Sequence, residues 1–151
     1  MAITSGVKSQ IGKRYAPVVY AVGREKIREY AEAVGETNPL YRDFEAARAA
    51  GYEDVLAPPM FAVVYAGRAV RAGLFDPDLA IDFSMLVHGS QELRWHGPVV
   101  VAGDEITTVL SVQSISERAG LAFYVFESGS VNQRGEGVCT GVWRNVVRGA
   151  Q

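Results

Sequence analysis

A chain of 151 residues is long enough for one well-cored domain, and its 48% hydrophobic and 21% charged content is ordinary for a soluble globular protein. Its net charge of −2, with acids and bases interspersed and no basic stripe, argues against a nucleic-acid partner. The single Cys139 excludes an intramolecular disulfide, and two histidines far from it offer no zinc spacing, so neither a metal nor a cofactor is expected.

Met1–Gln10 is small and polar with no apolar stretch, unlike a signal peptide, and a cytoplasmic location is expected. Residues 1–14 read as a loose arm on a single domain spanning 1–151. Pro17 to Val22 is a short apolar run, an edge strand because Pro17 cannot donate to a ladder. Arg24 to Val34 has Ile27, Tyr30, Ala31 and Val34 at i, i+3, i+4, i+7 and is an amphipathic helix closed by Gly35. Asn38 before Pro39 makes 36–42 a turn, and Asp43 caps a short helix from Phe44 to Ala50, ended by Gly51.

The next helix spans about residues 58–75. No charge interrupts the 13 residues from Val55 to Gly67, too few for a bilayer, which needs about 20. Pro59 suits a first turn, and Gly73 with Asp76-Pro77 supplies the stop. A helix apolar on nearly every side is expected to be buried. Ala62, Ala66, Ala69 and Gly73 form a small-residue stripe, which either packs tightly against a sheet or leaves a groove for an acyl chain.

Beyond Asp78 the pattern turns to strands. Leu93 and Trp95 alternate with Glu92, Arg94 and His96 before Gly97-Pro98 breaks the run. Ile106, Thr108, Leu110 and Val112 share a face within 105–117. Residues 121–131 begin apolar on both faces and should be central, 132–136 form a hairpin-like turn, and 138–147 is the last strand. In that last strand Val138, Val142 and Val146 share one face, with Trp143 and Val147 on the other. Helices followed by a meander of long strands give an α+β fold with an antiparallel sheet around one central helix.

The residues alone complete no catalytic set. The serines lack a Gly-x-Ser-x-Gly context, Gly135-Glu136-Gly137 lacks the third glycine of a phosphate loop, and Cys139 reads as a packed thiol. His88 reads either as a structural strand histidine or as a site residue, and His96 as an exposed one.

Three stretches in order resemble the MaoC-like hot-dog dehydratases: Arg24 through Tyr41, Leu56-Ala-Pro-Pro-Met-Phe61, and His88-Gly-Ser-Gln-Glu92 with Pro98 through Asp104. The likeness covers roughly Tyr15 to Val147 and is closest to the FAS1-type N-terminal branch, which includes the non-catalytic subunit of mycobacterial-type (3R)-hydroxyacyl-ACP dehydratase. It implies a hot-dog fold, two such domains side by side, and an acyl-ACP or acyl-CoA thioester whose chain runs along the central helix, past Met60, Ala62 and Ala66, with His88 also at the substrate.

Active members of that family carry Gly-Asp-x-Asn-Pro-x-His and a glycine opening the central helix. Here Gly35, Asn38 and Pro39 remain, but the three chemical positions differ. Glu36 replaces Asp, and a carboxylate displaced by about an ångström can lose about a hundredfold in rate. Tyr41 replaces His, and a phenol with pKa near about 10 is a poor base at neutral pH. Pro59 replaces the glycine whose N–H would polarise the thioester, a loss of about 3 kcal/mol. The resemblance therefore implies a hydro-lyase subunit that shapes the acyl pocket and supports a catalytic MaoC-type partner, or pairs with itself when alone. Two alternatives remain: a self-sufficient hydratase using Glu36 and Tyr41, and a non-enzymatic acyl-thioester-binding homodimer.

Overall fold

The computed structural model describes residues 3–149. Five antiparallel strands lie in the order β1-β3-β4-β5-β2, where β1 is Val18–Ala21, β2 Leu86–Trp95, β3 Glu105–Arg118, β4 Leu121–Val131 and β5 Gly137–Val147. Period-2 patterning sets which faces are buried. On β3, Ile106, Thr108, Leu110 and Val112 point inward, and a bulge between Val112 and Ser114 resets the phase so that Ile115 does too. On β4, the central strand as its pattern predicts, Ala122, Tyr124 and Phe126 point inward. On β5, Val142 and Val146 share the half-buried outer face. Val138 does not join them: the shift between Ser130 and Val131 inserts it as an extra, buried residue.

Across the inner face lies α4, Ala62–Leu74, entered through a 3-10 turn at Pro59–Phe61. The small-residue stripe packs directly on the sheet. Ala62, Ala66, Ala69 and Gly73 are all buried, and a Cβ built at Gly73 would lie 2.7 Å from the Phe126 ring and 2.8 Å from Leu110. Of the two readings of that stripe, tight packing is what the contacts at Gly73 and the burial of Ala62 and Ala66 show. The expectation of a helix buried all round is corrected as well: Val63, Val64, Gly67 and Leu74 are half-buried and Arg68 and Arg71 exposed. One sheet has one concave face, and it covers one side of the helix.

The short helices follow their caps. In α2, Arg24–Ala33, Ile27 and Ala31 are buried, and in α3, Phe44–Ala49, the Asp43 carboxylate accepts from Glu45 and Ala46 N–H. The loose arm is a second correction, for its described residues from Ile3 on. Ser5–Lys8 form α1, capped by the Thr4 hydroxyl, with Val7 buried. Gly12 and Tyr15 N–H donate to the carbonyls of Val112 and Leu110, extending the edge of β3. The anchor is Asp76, 9% exposed, which accepts from Tyr15 Oη at 2.6 Å and lies 2.6 Å from Lys13 Nζ. No local period announces a segment held by a carboxylate 61 residues away. No described helix is long and apolar enough to cross a membrane.

Two outcomes follow from this packing. Gly73→Ala inserts a methyl where Phe126 and Leu110 sit and should lower stability by about 1–3 kcal/mol in thermal unfolding. For Asp76, burial works to raise the carboxyl pKa, but Lys13, Tyr15 and the Asp78 N–H outweigh it and hold the group below its usual range. Its contribution is therefore present above the unfolded carboxyl pKa of about 4 and is lost as pH falls through the lower folded value. Asp76→Asn should destabilise the chain at pH 7 by about 1–3 kcal/mol, a deficit that shrinks below about pH 4 in urea titrations.

Candidate ligand pocket and open sheet edge

The turn after α2 spends its polar side chains on itself. Gly35, at φ 71, ends the helix in the left-handed region that glycine adopts without strain. Glu36 Oε1 then accepts from Asn38 N–H at 2.9 Å, and Asn38 Oδ1 accepts from Leu40 N–H at 3.0 Å, the local bonding for which Asn-Pro turns are selected. Leu56 N–H donates to the Leu40 carbonyl and ties the turn to the approach of α4. Tyr41 packs against the core, where burial, then the charges of Glu36 and Tyr52, push its phenol above the ordinary value. It stays protonated at neutral pH and is a donor, not a base. Glu36 and Tyr41 are thus brought together, but neither lines the pocket found at the helix entry.

That pocket, about 440 Å³, lies between Pro58-Pro59 and the end of β2 at Trp95, with Val100, Tyr65 and Val138 also on its walls. Its size is ordinary for a small-molecule site, about 300–1,000 Å³. Two backbone links and one to a side chain hold its rim: Ala57 N–H donates to the Val100 carbonyl, Ala102 N–H to the Val55 carbonyl, and Val101 N–H to Asp104 Oδ2 at 2.9 Å. Trp95 Nε1 donates to the Pro59 carbonyl at 2.9 Å, fastening the helix entry to the edge strand. Two prolines in succession remove two N–H groups from that entry, and the Phe61 N–H is taken by the Pro58 carbonyl. The pocket can hold an apolar chain, and its proline wall gives no backbone donor to an oxyanion.

The nearby hydroxyl and thiol are inert by environment. Burial pushes the Tyr65 phenol well up, with Cys139 beside it adding to the effect, and burial raises the Cys139 thiol too. Both are protonated at neutral pH, as a packed cysteine should be.

His88 lies elsewhere. It faces Asn145 across the β2–β5 ladder, and a bulge between His88 and Ser90 puts Gln91 on the same inner face, opposite Trp143. These residues line a second cleft of about 360 Å³ under the outer side of α4. Seven residues of strand, about 20 Å, separate His88 from Trp95. Around the cleft are exposed large apolar side chains: Phe75 and Phe83, stacked at 4.3 Å, with Met85 and Val87. The outward edge of β2 pairs with no described strand. An unpaired strand beside an apolar patch is a candidate docking surface.

Of the positions singled out from the sequence, Pro59 lines the pocket, Met60 points to solvent at 42% exposure, Ala62 and Ala66 lie under the sheet, and His88 is at the second cleft. Tyr65, Trp95, Val100 and Val138 escaped the sequence reading. The alternation that marked Trp95 as a strand residue carried no sign that its indole closes a pocket.

The family model described as FAS1-like, dehydratase domain region, matches residues 9–141. The "UPF0336 protein" of Saccharopolyspora erythraea is 48% identical over 143 residues, covering 94% of this chain and 91% of its own. That of Clavibacter michiganensis is 48% identical over 134 residues, 89% of each chain. Among solved structures, the C-terminally truncated HadBC (3R-hydroxyacyl-ACP dehydratase) complex of Mycobacterium tuberculosis superposes with a TM-score of 0.77 at 28% identity, covering 91% of this chain and 96% of that one. A MaoC-like dehydratase gives a TM-score of 0.82 at 29% identity, covering 95% of this chain and 44% of the longer one. The chain belongs to the FAS1-like dehydratase domain region family and has the fold of the MaoC-like hot-dog dehydratases.

Proposed function

We propose that this chain is the acyl-thioester-binding subunit of a (3R)-hydroxyacyl-ACP or -CoA dehydratase, and that it supports a catalytic MaoC-type partner rather than carrying the chemistry itself. The observation that carries this reading is the Pro58-Pro59 entry to α4, roofed by Trp95: an apolar pocket whose proline wall supplies no N–H for a developing oxyanion. Dehydration of a 3-hydroxyacyl thioester needs a base for the α-proton, an acid for the departing hydroxyl and a donor on the thioester oxygen. Glu36 is engaged in its turn and Tyr41 holds its proton, so the partner supplies those groups. This chain contributes apolar wall and, through the open edge of β2, a surface for a second hot-dog domain. Neighbours that are two-chain complexes, HadBC and the ChsH1–ChsH2 complex of Mycobacterium tuberculosis, support a partner.

A self-sufficient hydratase using Glu36 and Tyr41 is the second reading, favoured by their adjacency. A homodimer that binds acyl thioesters without turnover is the third. One assay separates the three: hydration of trans-2-octenoyl-CoA, followed as loss of enoyl absorbance, by the pure chain and by the chain with a catalytic MaoC-type subunit. The subunit reading expects no turnover alone and turnover in the mixture, unchanged by Glu36→Gln. Turnover by the pure chain, abolished in Glu36→Gln, refutes it in favour of the second reading. Binding without turnover in either sample favours the third.

The pocket makes its own prediction. Val99, 52% exposed on the rim, can be enlarged without disturbing the core. Val99→Trp should raise the mixture's KM for octenoyl-CoA about tenfold while affecting crotonyl-CoA far less, since each methylene in an apolar pocket is worth about tenfold or more.

A further inference from the structure

The cleft under α4 contains a buried amide whose nitrogen has no partner among the described residues. Asn145 is 3% exposed, and its Nδ2 has no hydrogen-bond partner among the described residues. A buried amide left unsatisfied is disfavoured and calls for an explanation. Asn145 sits on the inner face of β5, and His88 and Gln91 join it on the wall of the same cleft. The helix side of the cleft is open, because an added Cβ at Gly67 would meet nothing within 4 Å. Three nitrogen-bearing side chains thus converge on a space large enough for a ligand segment.

That space is far from this chain's own helix-entry pocket, but pairing changes what it faces. A second hot-dog domain related by a two-fold axis adds its edge strand antiparallel to β2. The His88 end of β2 then lies beside the opposite end of the partner's strand, the end that in this fold leads to the pocket at the helix entry. Each domain's cleft therefore becomes a wall of the other's site. We infer that Asn145, flanked by His88 and Gln91, completes the partner's acyl-thioester site, its Nδ2 donating to a carbonyl oxygen of the bound acyl-pantetheine chain. The inference rests on the subunit reading above. Asn145 is a positioning and binding residue in this scheme, contributed across the interface.

The test is binding of octanoyl-CoA, a saturated and unreactive probe, by the complex of this chain with the catalytic MaoC-type subunit, for wild type and Asn145→Leu. Thermal unfolding of the free chain and association of the two chains are followed alongside. The expected result is a Kd raised about tenfold, the worth of one buried hydrogen bond, with association unchanged and Tm not lowered, because Nδ2 has no partner in the free chain. Wild-type affinity in Asn145→Leu overturns the assignment and leaves the subunit reading intact. Loss of association overturns it as well, since the amide then bonds the partner protein. Absence of binding by the wild-type complex overturns both readings. If Asn145→Leu does not fold, variants at the exposed His88 and the half-buried Gln91, His88→Ala and Gln91→Ala, carry the test, and unchanged affinity in both overturns the inference.

Discussion

The contact on which the rest of the structure depends is the close approach of α4 to the sheet at Gly73, Phe126 and Leu110. Interiors pack at crystal-like density, so a helix that must lie this near a strand needs side chains no larger than a methyl along its lower face. Ala62, Ala66, Ala69 and Gly73 satisfy that requirement. Because the helix sits low, its entry at Pro59 comes within reach of the Trp95 indole, and the pocket forms between them. The same low seat leaves the opposite helix face, with Val63, Val64 and Leu74, only half-buried and Arg68 and Arg71 exposed. Packing, pocket and docking surface are three results of one spacing.

The strands were legible because a half-buried sheet imposes a period of two, and tertiary context had nothing to override in 105–118 or 121–131. The helix over 62–74 was legible in its limits but not in its surroundings. Hydrophobicity on all sides does not say whether sheet, ligand or another chain covers each side. The segment 3–15 was misread for a related reason: its order comes from Asp76 and from the edge of β3, both distant in sequence, and from no pattern of its own.

The site divides the same way. The departures at 36, 41 and 59 could be read from a motif, since they depend on residue type at fixed spacing. The pocket could not, being assembled from 57–59, 65, 95–100 and 138, segments whose adjacency exists only once the sheet has closed on the helix. Proline at 59 removes a donor from the helix entry, while the main-chain carbonyl at the same position accepts from Trp95.

The two margins of the sheet are unequal. On one side the chain breaks at Pro17 between the short pairing of 12–15 with β3 and the four residues of β1, leaving no run long enough to template another strand. On the other side β2 offers ten residues. The unequal margins of the sheet thus leave one edge, that of β2, long enough to template a further strand.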